Sequence, residues 1–262
     1  MRTPRASLAT LKKTVKSNLT SIVLVVLCLG LSFLAGSIWI AKTNEAESVA
    51  RLQRQNELLS KQLSTSNSEF KTIKSSFLPP LRDTDRIDGS RTADIILLEY
   101  SDLECPFCKD LNATITTLKQ EYGDQLSHVF RHLPIASLHQ NAPMEAEAAE
   151  CVAEQGGNAA FFKFTNAVFV GSKSNGLSYT EADMQTLAGS LGLNSATLKT
   201  CMDSNRTIAA VDVTIKEAKT MGMTGTPTWF LIRTSDGMTK QATGAKKIDA
   251  VRDVINEMLG KS

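Results

Sequence analysis

Cys105 and Cys108, with Pro106 and Phe107 between them, are the residues of this 262-residue sequence best placed to do chemistry. Two sulfurs at that spacing serve either as a reversible disulfide or as half of a zinc site. The flanking residues favour the disulfide. Ile95-Ile96-Leu97-Leu98 reads as a short buried-type strand before the pair, and Leu111, Ile115, Leu118 and Tyr122 after it fall on one helical face. Cys105 is thereby set at a helix N-terminus, where unpaired N–H groups and the helix dipole stabilise a thiolate. It is expected to be the more exposed sulfur and the one that bonds substrate, with Cys108, one turn in, as the buried resolving partner. Zinc needs two further ligands. Cys151 and Cys201 are too far apart for a second knuckle, and His128, His132 and His139 show no ligand spacing to them, so no metal is expected. The three histidines read as strand-surface or helix-start residues.

The elements that position the pair follow from periodicity. Leu126 to His132 reads as a second strand, which makes a right-handed strand-helix-strand unit with the helix that starts at the cysteines. From Pro143 to Gly222 the chain reads as helical almost throughout, with an alanine-rich segment around Cys151, an aromatic-rich one from Ala159 to Val170, a start at Thr180 and a longer helix from Thr207 to Met221. Strands return at Trp229 to Arg233 and near Met238 to Ala242, joined by an Asp236-Gly237 turn. A last helix carries Ile248, Val251, Val254, Ile255, Met258 and Leu259 as an apolar stripe. The order is that of an α/β domain.

The N-terminal part reads differently. Arg2, Arg5, Lys12, Lys13 and Lys16 make residues 1–18 a basic tail, leaving 24 basic against 27 acidic residues in the remainder, a poor balance for nucleic-acid binding. Residues 19–41 carry no charge and are long enough to span a bilayer. The basic flank orients them with the N-terminus cytoplasmic and the rest outside, a single-pass cell-membrane protein; a cleaved leader is the alternative. Across residues 42–78, Val49, Leu52, Asn56, Leu59, Leu63, Ser66, Phe70, Ile73 and Phe77 recur at alternating steps of three and four. That spacing predicts a helical, coiled-coil stalk able to join chains as a homo-oligomer, against a flexible linker as the alternative. Pro79-Pro80 ends it, and Arg82 to Arg91 reads as a connector with a turn at Asp88-Gly89. In an oxidising location Cys151 and Cys201, on different predicted helices, form a structural disulfide or else remain two core thiols.

The run Glu99-Tyr100-Ser101-Asp102-Leu103-Glu104-Cys105-Pro106-Phe107-Cys108 and the segment Val129-Phe130-Arg131-His132-Leu133-Pro134 are joined by the alanine-rich helix bearing Cys151 and by Thr224-Gly225-Thr226-Pro227-Thr228. Together these resemble the DsbA-like, thioredoxin-fold thiol-disulfide oxidoreductases over roughly residues 93–260. The resemblance implies a thioredoxin fold over residues 79–262 with a helical insertion at about 138–222, a cis Pro227, and no cofactor beyond the two sulfurs. It implies that Thr226 and Pro227 pack against the cysteine pair and receive an extended substrate segment. It also implies that Glu99, at the end of an apolar strand, is a buried proton acceptor for Cys108; a glutamate at the strand's exposed end is the alternative. The activity implied is disulfide formation in reduced exported polypeptides, with reoxidation by a membrane partner of the DsbB-like or vitamin K epoxide reductase-like kind. Phe107 stands where the best-known members have histidine and cannot donate to the thiolate, so a milder oxidant is expected. An isomerase assembled through the stalk, and a tethered metal-binding or chaperone module, are the competing functions.

Overall fold

Strand β3 (Ile95–Ser101) is the axis of the domain, and every one of its residues is buried. Such a strand needs cover on both faces, which its near-continuous apolar composition anticipates. In the computed structural model, which describes residues 47–55, 70–175 and 177–261, β3 pairs in parallel with β4 (Leu126–His132) and antiparallel with β5 (Thr228–Arg233). With β1 (Lys71–Ile73), β2 (Arg86–Asp88) and β6 (Thr239–Thr243) they form a six-stranded sheet in the order β1-β6-β5-β3-β4-β2.

Alternation along β3 divides the core. Ile95 and Leu97 meet Leu111, Ile115 and Leu118 of α2 (Pro106–Tyr122) and Val251 and Ile255 of α7 (Ile248–Leu259). Ile96, Leu98 and Tyr100 meet Val129, Phe230 and Ala218, the last from α6 (Ile208–Thr220). The insertion comprises α3 (Ala142–Gly171), α4 (Glu181–Ser190) and α5 (Ser195–Asp203), packed on Phe161, Phe164, Val168 and Phe169. Helix α3 breaks at Gly156-Gly157, where Gly157 takes φ +64°, a conformation that costs an L side chain. Cys151 of α3 and Cys201 of α5 are joined by a disulfide with Cα atoms 5.8 Å apart, which selects the first of the two readings of that pair. This bond closes a loop of 50 residues. Replacing both cysteines by alanine is expected to lower the unfolding free energy by about 2–4 kcal/mol, read as a lower urea midpoint.

Two expectations need correction. The stalk does not run as a helix to Phe77: Lys71–Ile73 is an edge strand in register with Thr239–Gln241, and Ser75–Phe77 is a 3-10 turn. Phe70 is buried, edge-on to Trp229 at 5.5 Å. Open backbone groups on β6 and a pocket for one aromatic ring outweigh the middling helix propensity of this serine-rich stretch. The connector at residues 82–91 contains strand β2, antiparallel to β4, before the turn at Gly89. Residues 47–55 form a separate helical piece, α1, on which Val49 and Leu52 are exposed. The basic tail, the apolar span at 19–41 and most of the remaining stalk lie outside the described residues; among the described residues no helix is long and apolar enough to cross a membrane.

Candidate active site

Cys105 is the N-cap of α2, in extended conformation, with Pro106 at the first helical position, where a missing N–H costs nothing. Its carbonyl accepts from the N–H groups of Cys108 and Lys109, both at 3.1 Å. The two cysteines are free thiols packed with Leu103 at the edge of the insertion core, so the site lies where the sheet domain and the insertion meet. Cys105 is 3% exposed, less open than its place at a helix end suggests, because the loop before Pro227 covers it: its sulfur lies 3.4 Å from the Thr226 carbonyl oxygen. The Thr226-Pro227 peptide is cis, as the resemblance implies. Phe107, by contrast, is exposed beside the pair.

The two sulfurs are electrostatically unequal. A hydrogen bond from the Cys108 thiol, set against the cost of burial and helped by the nearby Thr226 side chain, which makes no aligned hydrogen bond, and by the N–H groups of Cys108 and Phe107, lowers the Cys105 thiol to about 6. Burial pushes Cys108 well above the ordinary thiol value, and the neighbouring Cys105 sulfur pushes it further. Opposing this are the Asp102 N–H, 3.4 Å from Cys108 Sγ, and the Ser101 hydroxyl, which faces that sulfur without an aligned hydrogen bond. One sulfur is thus prepared to carry negative charge and the other to carry a proton.

Glu99 is fully buried, on the same face of β3 as Ser101 and on the side covered by α2, which excludes the exposed strand end. Its Oε1 lies 2.8 Å from His128 Nε2 of β4, and its Oε2 has no partner. Residues that the sequence reading passed over complete the surroundings. Asp102 Oδ1 accepts from the Glu104 N–H, and its Oδ2 accepts from the Ile135 N–H at 2.7 Å and sits 2.9 Å from His139 Nδ1. Glu104 accepts from the Asn141 N–H, and its carbonyl from the Asn175 N–H. These bonds tie the turn before Cys105 to the loops at both ends of α3. Beside them Glu145 is buried with neither oxygen partnered; burial first, then the charges of Glu104 and Asp102, raise its carboxyl to about 8.

The histidines are not surface residues. His128, His132 and His139 are all buried, matched with Glu99, Glu150 and Asp102 respectively. Burial of Glu150 works against its ionisation, but His132 and Arg86 outweigh it and hold that carboxyl at about 2. Among the described residues no cluster of three or more histidine, cysteine or acidic side chains is arranged to hold a metal ion.

Comparison with known proteins places this geometry. A family model described as Thioredoxin matches residues 82–250. The structure is similar to that of Pseudomonas aeruginosa DsbA2, with a TM-score of 0.56 and 27% identity over 69% of this chain and 97% of that one. It is similar in fold to Wolbachia pipientis alpha-DsbA1, with a TM-score of 0.59 and 21% identity over 72% and 97% of the two chains. Oxidised BdbD from Bacillus subtilis gives a TM-score of 0.56 and 20% identity over 67% and 93%. In sequence, 149 residues are 30% identical to the Na(+)/H(+) antiporter NhaA 3 of Salinispora tropica, 57% of this chain but 22% of that protein. NhaA of Herminiimonas arsenicoxydans is 31% identical over 154 residues, 58% of this chain and 23% of that protein. The chain thus spans less than a quarter of these curated relatives.

Proposed function

This chain belongs to the thioredoxin family and has the DsbA-like form of its fold, and from that premise we propose that it forms disulfides in reduced exported polypeptides by exchange through Cys105 and Cys108. The observation that carries this reading is the inequality of the two sulfurs: Cys105 caps α2 beside the cis Thr226-Pro227 peptide with its thiol lowered to about 6, and Cys108 is fully buried with its thiol pushed well above the ordinary value. In the oxidised chain a substrate thiolate attacks Cys105 Sγ, the Cys105–Cys108 bond breaks, and Cys108 leaves and takes up a proton, supplied by Glu99. A second substrate thiolate then attacks the substrate sulfur of the mixed disulfide and releases Cys105 as a stable thiolate. The substrate loses two electrons and the chain gains them.

A stabilised thiolate is a modest nucleophile and a good leaving group, so the asymmetry favours giving the disulfide away. Thr226 and Pro227 receive the substrate as an extended segment beside Cys105. A groove of about 620 Å³ continues from Thr224 and Gly225 along Met223, Ile215, Val211 and Leu133, and suits apolar side chains of an unfolded chain. The charge-free span at 19–41 and its basic flank support a single-pass membrane protein with this domain outside the cytoplasm, where a membrane redox partner reoxidises it. The Cys151–Cys201 bond agrees with an oxidising compartment.

Equilibrating the full chain with glutathione buffers and mapping the Cys105–Cys108 couple by alkylation and mass spectrometry tests the direction. The expected potential lies above the glutathione range; a value at or below that of thioredoxin, about −270 mV, would make the chain a reductase.

A further inference from the structure

Asp102 follows β3 directly and touches both sulfur-bearing residues through its backbone. Its N–H points at Cys108 Sγ, 3.4 Å away, and its carbonyl accepts from the Cys105 N–H at 3.1 Å. The same residue reaches a second loop with its side chain. Asp102 is 1% exposed, and burying an ionised carboxylate is costly unless its oxygens are satisfied. Here they are: Oδ1 accepts from the Glu104 N–H, and Oδ2 accepts from the Ile135 N–H and from His139 Nδ1. The last two donors converge because the His139 N–H closes a turn onto the Ile135 carbonyl at 2.9 Å, just ahead of α3.

The peptide unit that joins Ser101 to Asp102 is gripped at its other end as well. Its carbonyl accepts from the Leu133 N–H at 2.7 Å. A planar trans peptide turns its C=O and N–H in opposite directions, so holding that oxygen and the Asp102 side chain leaves the N–H no freedom to swing from the sulfur. A donation to the C=O also polarises the N–H at the far end. A thiol, a weak acceptor, has little use for such a donor. A thiolate has much more, and Cys108 becomes one whenever its bond to Cys105 opens.

We propose that Asp102 is a positioning residue for the departure and attack of Cys108: its carboxylate, anchored on Ile135 and His139, aims its own peptide N–H at the charge that develops on Cys108 Sγ. When a substrate thiolate attacks Cys105 Sγ, a new S–S bond forms there and the Cys105–Cys108 bond breaks. Its electron pair goes to Cys108 Sγ, which accepts from the Asp102 N–H until it is protonated. In the reverse step the same contact holds the Cys108 thiolate as it attacks Cys105 Sγ and the substrate sulfur leaves with the electron pair. The proposal rests on the exchange reading above. A contact that tightens only as charge develops lowers both barriers alike and leaves the equilibrium between the two forms where it was.

The test compares the full chain with Asp102→Ala, with Asp102→Asn, and with a semisynthetic chain carrying the α-hydroxy analogue of aspartate at position 102. The analogue replaces the N–H by an ester oxygen and keeps the carboxylate. Two single-turnover rates are read at pH 7: opening of the Cys105–Cys108 disulfide by a cysteine-containing peptide, and release of that peptide from its mixed disulfide with Cys105. One fixed donor to a developing oxyanion contributes about a hundredfold or more in rate; sulfur spreads its charge and accepts at longer range, so both rates should fall about tenfold in the analogue and in Asp102→Ala. Asp102→Asn, which keeps one oxygen for the anchoring donors, should fall between. The potential of the couple and the Cys105 thiolate titration at 240 nm should stay as in wild type. Wild-type rates in the ester analogue, or slowing in one direction alone with a matching change in potential, would overturn the role of Asp102 while leaving exchange intact. Absence of exchange in wild type would remove the reading on which the proposal rests.

Discussion

Cys108→Ala, mixed with a disulfide-bonded peptide, accumulates a covalent adduct on Cys105, whereas Cys105→Ala forms none and loses exchange down to the uncatalysed level. The first variant keeps the sulfur that attacks and lacks the one that resolves, so the mixed disulfide has no route onward within the chain. Alkylation supplies the quantitative half. At pH 7 a thiol titrating at about 6 is roughly nine-tenths thiolate, against roughly one part in a hundred for an unperturbed one near 9. Because the largest influence lowering Cys105 is the hydrogen bond from Cys108, the Cys105 midpoint should rise by about one pH unit or more in Cys108→Ala, leaving the α2 N-terminus to stabilise what thiolate remains. A midpoint near 9 in wild type would remove the basis of the mechanism. The linked stability has a definite sign: a depressed folded-state value stabilises the reduced fold fully above about pH 9, and that contribution is lost as pH falls through about 6. Melting the reduced and oxidised forms side by side over this range reads it.

Asp85→Ala should destabilise the domain by about 3–5 kcal/mol, the largest effect expected from a residue outside the site. Arg131 is fully buried in β4, donating to both oxygens of Asp85 at 2.8 and 2.9 Å, to the Pro80 carbonyl and to the Tyr100 hydroxyl. Removing the carboxylate leaves a buried guanidinium with its strongest partner gone. Burial opposes ionisation of Asp85, yet the bonds from Arg131 and Arg82 outweigh it and hold its carboxyl below the usual range. The stabilisation is thus present above about pH 4 and lost as pH falls through the lowered value. Urea denaturation should show a lower midpoint at unchanged slope, and the double replacement Asp85→Leu/Arg131→Met should recover most of the loss. A double variant no better than Asp85→Ala would show that hydrogen bonds to Pro80 and Tyr100, rather than the charge pair, carry the stability.

What was legible in the sequence was local. Apolar runs of two different periods on either side of Cys105 specify strand then helix, and β4 and the stripe of α7 were readable for the same reason. Glycine at 237 and the apolar spacing at Val251, Val254, Ile255 and Met258 need no knowledge of distant partners. Residues whose meaning depends on a partner far along the chain were not legible. His128 reads as a polar residue on a strand until Glu99, twenty-nine positions earlier, is placed beside it. Asp102 and Glu104 look like solvated charges in a turn until Ile135, His139 and Asn141 arrive from another loop. Phe70 and Ile73 satisfy a heptad and an edge strand equally well, and only the Trp229 ring and the open edge of β6 decide between them.

That edge strand also has a mechanical meaning. Any load reaching the domain from residues before Phe70 falls first on β1, three residues paired to the outermost side of the sheet, and not on β3 behind the cysteines. Detaching β1 frees the nine residues from Lys71 to Pro79, roughly 30 Å when extended, before the pull arrives at the next catch, the Pro80 carbonyl and Asp85 both held by Arg131. The domain is thus built with a shallow fastening and a deep one in series, so a pull from its N-terminal side draws out this segment before it disturbs the sulfur chemistry.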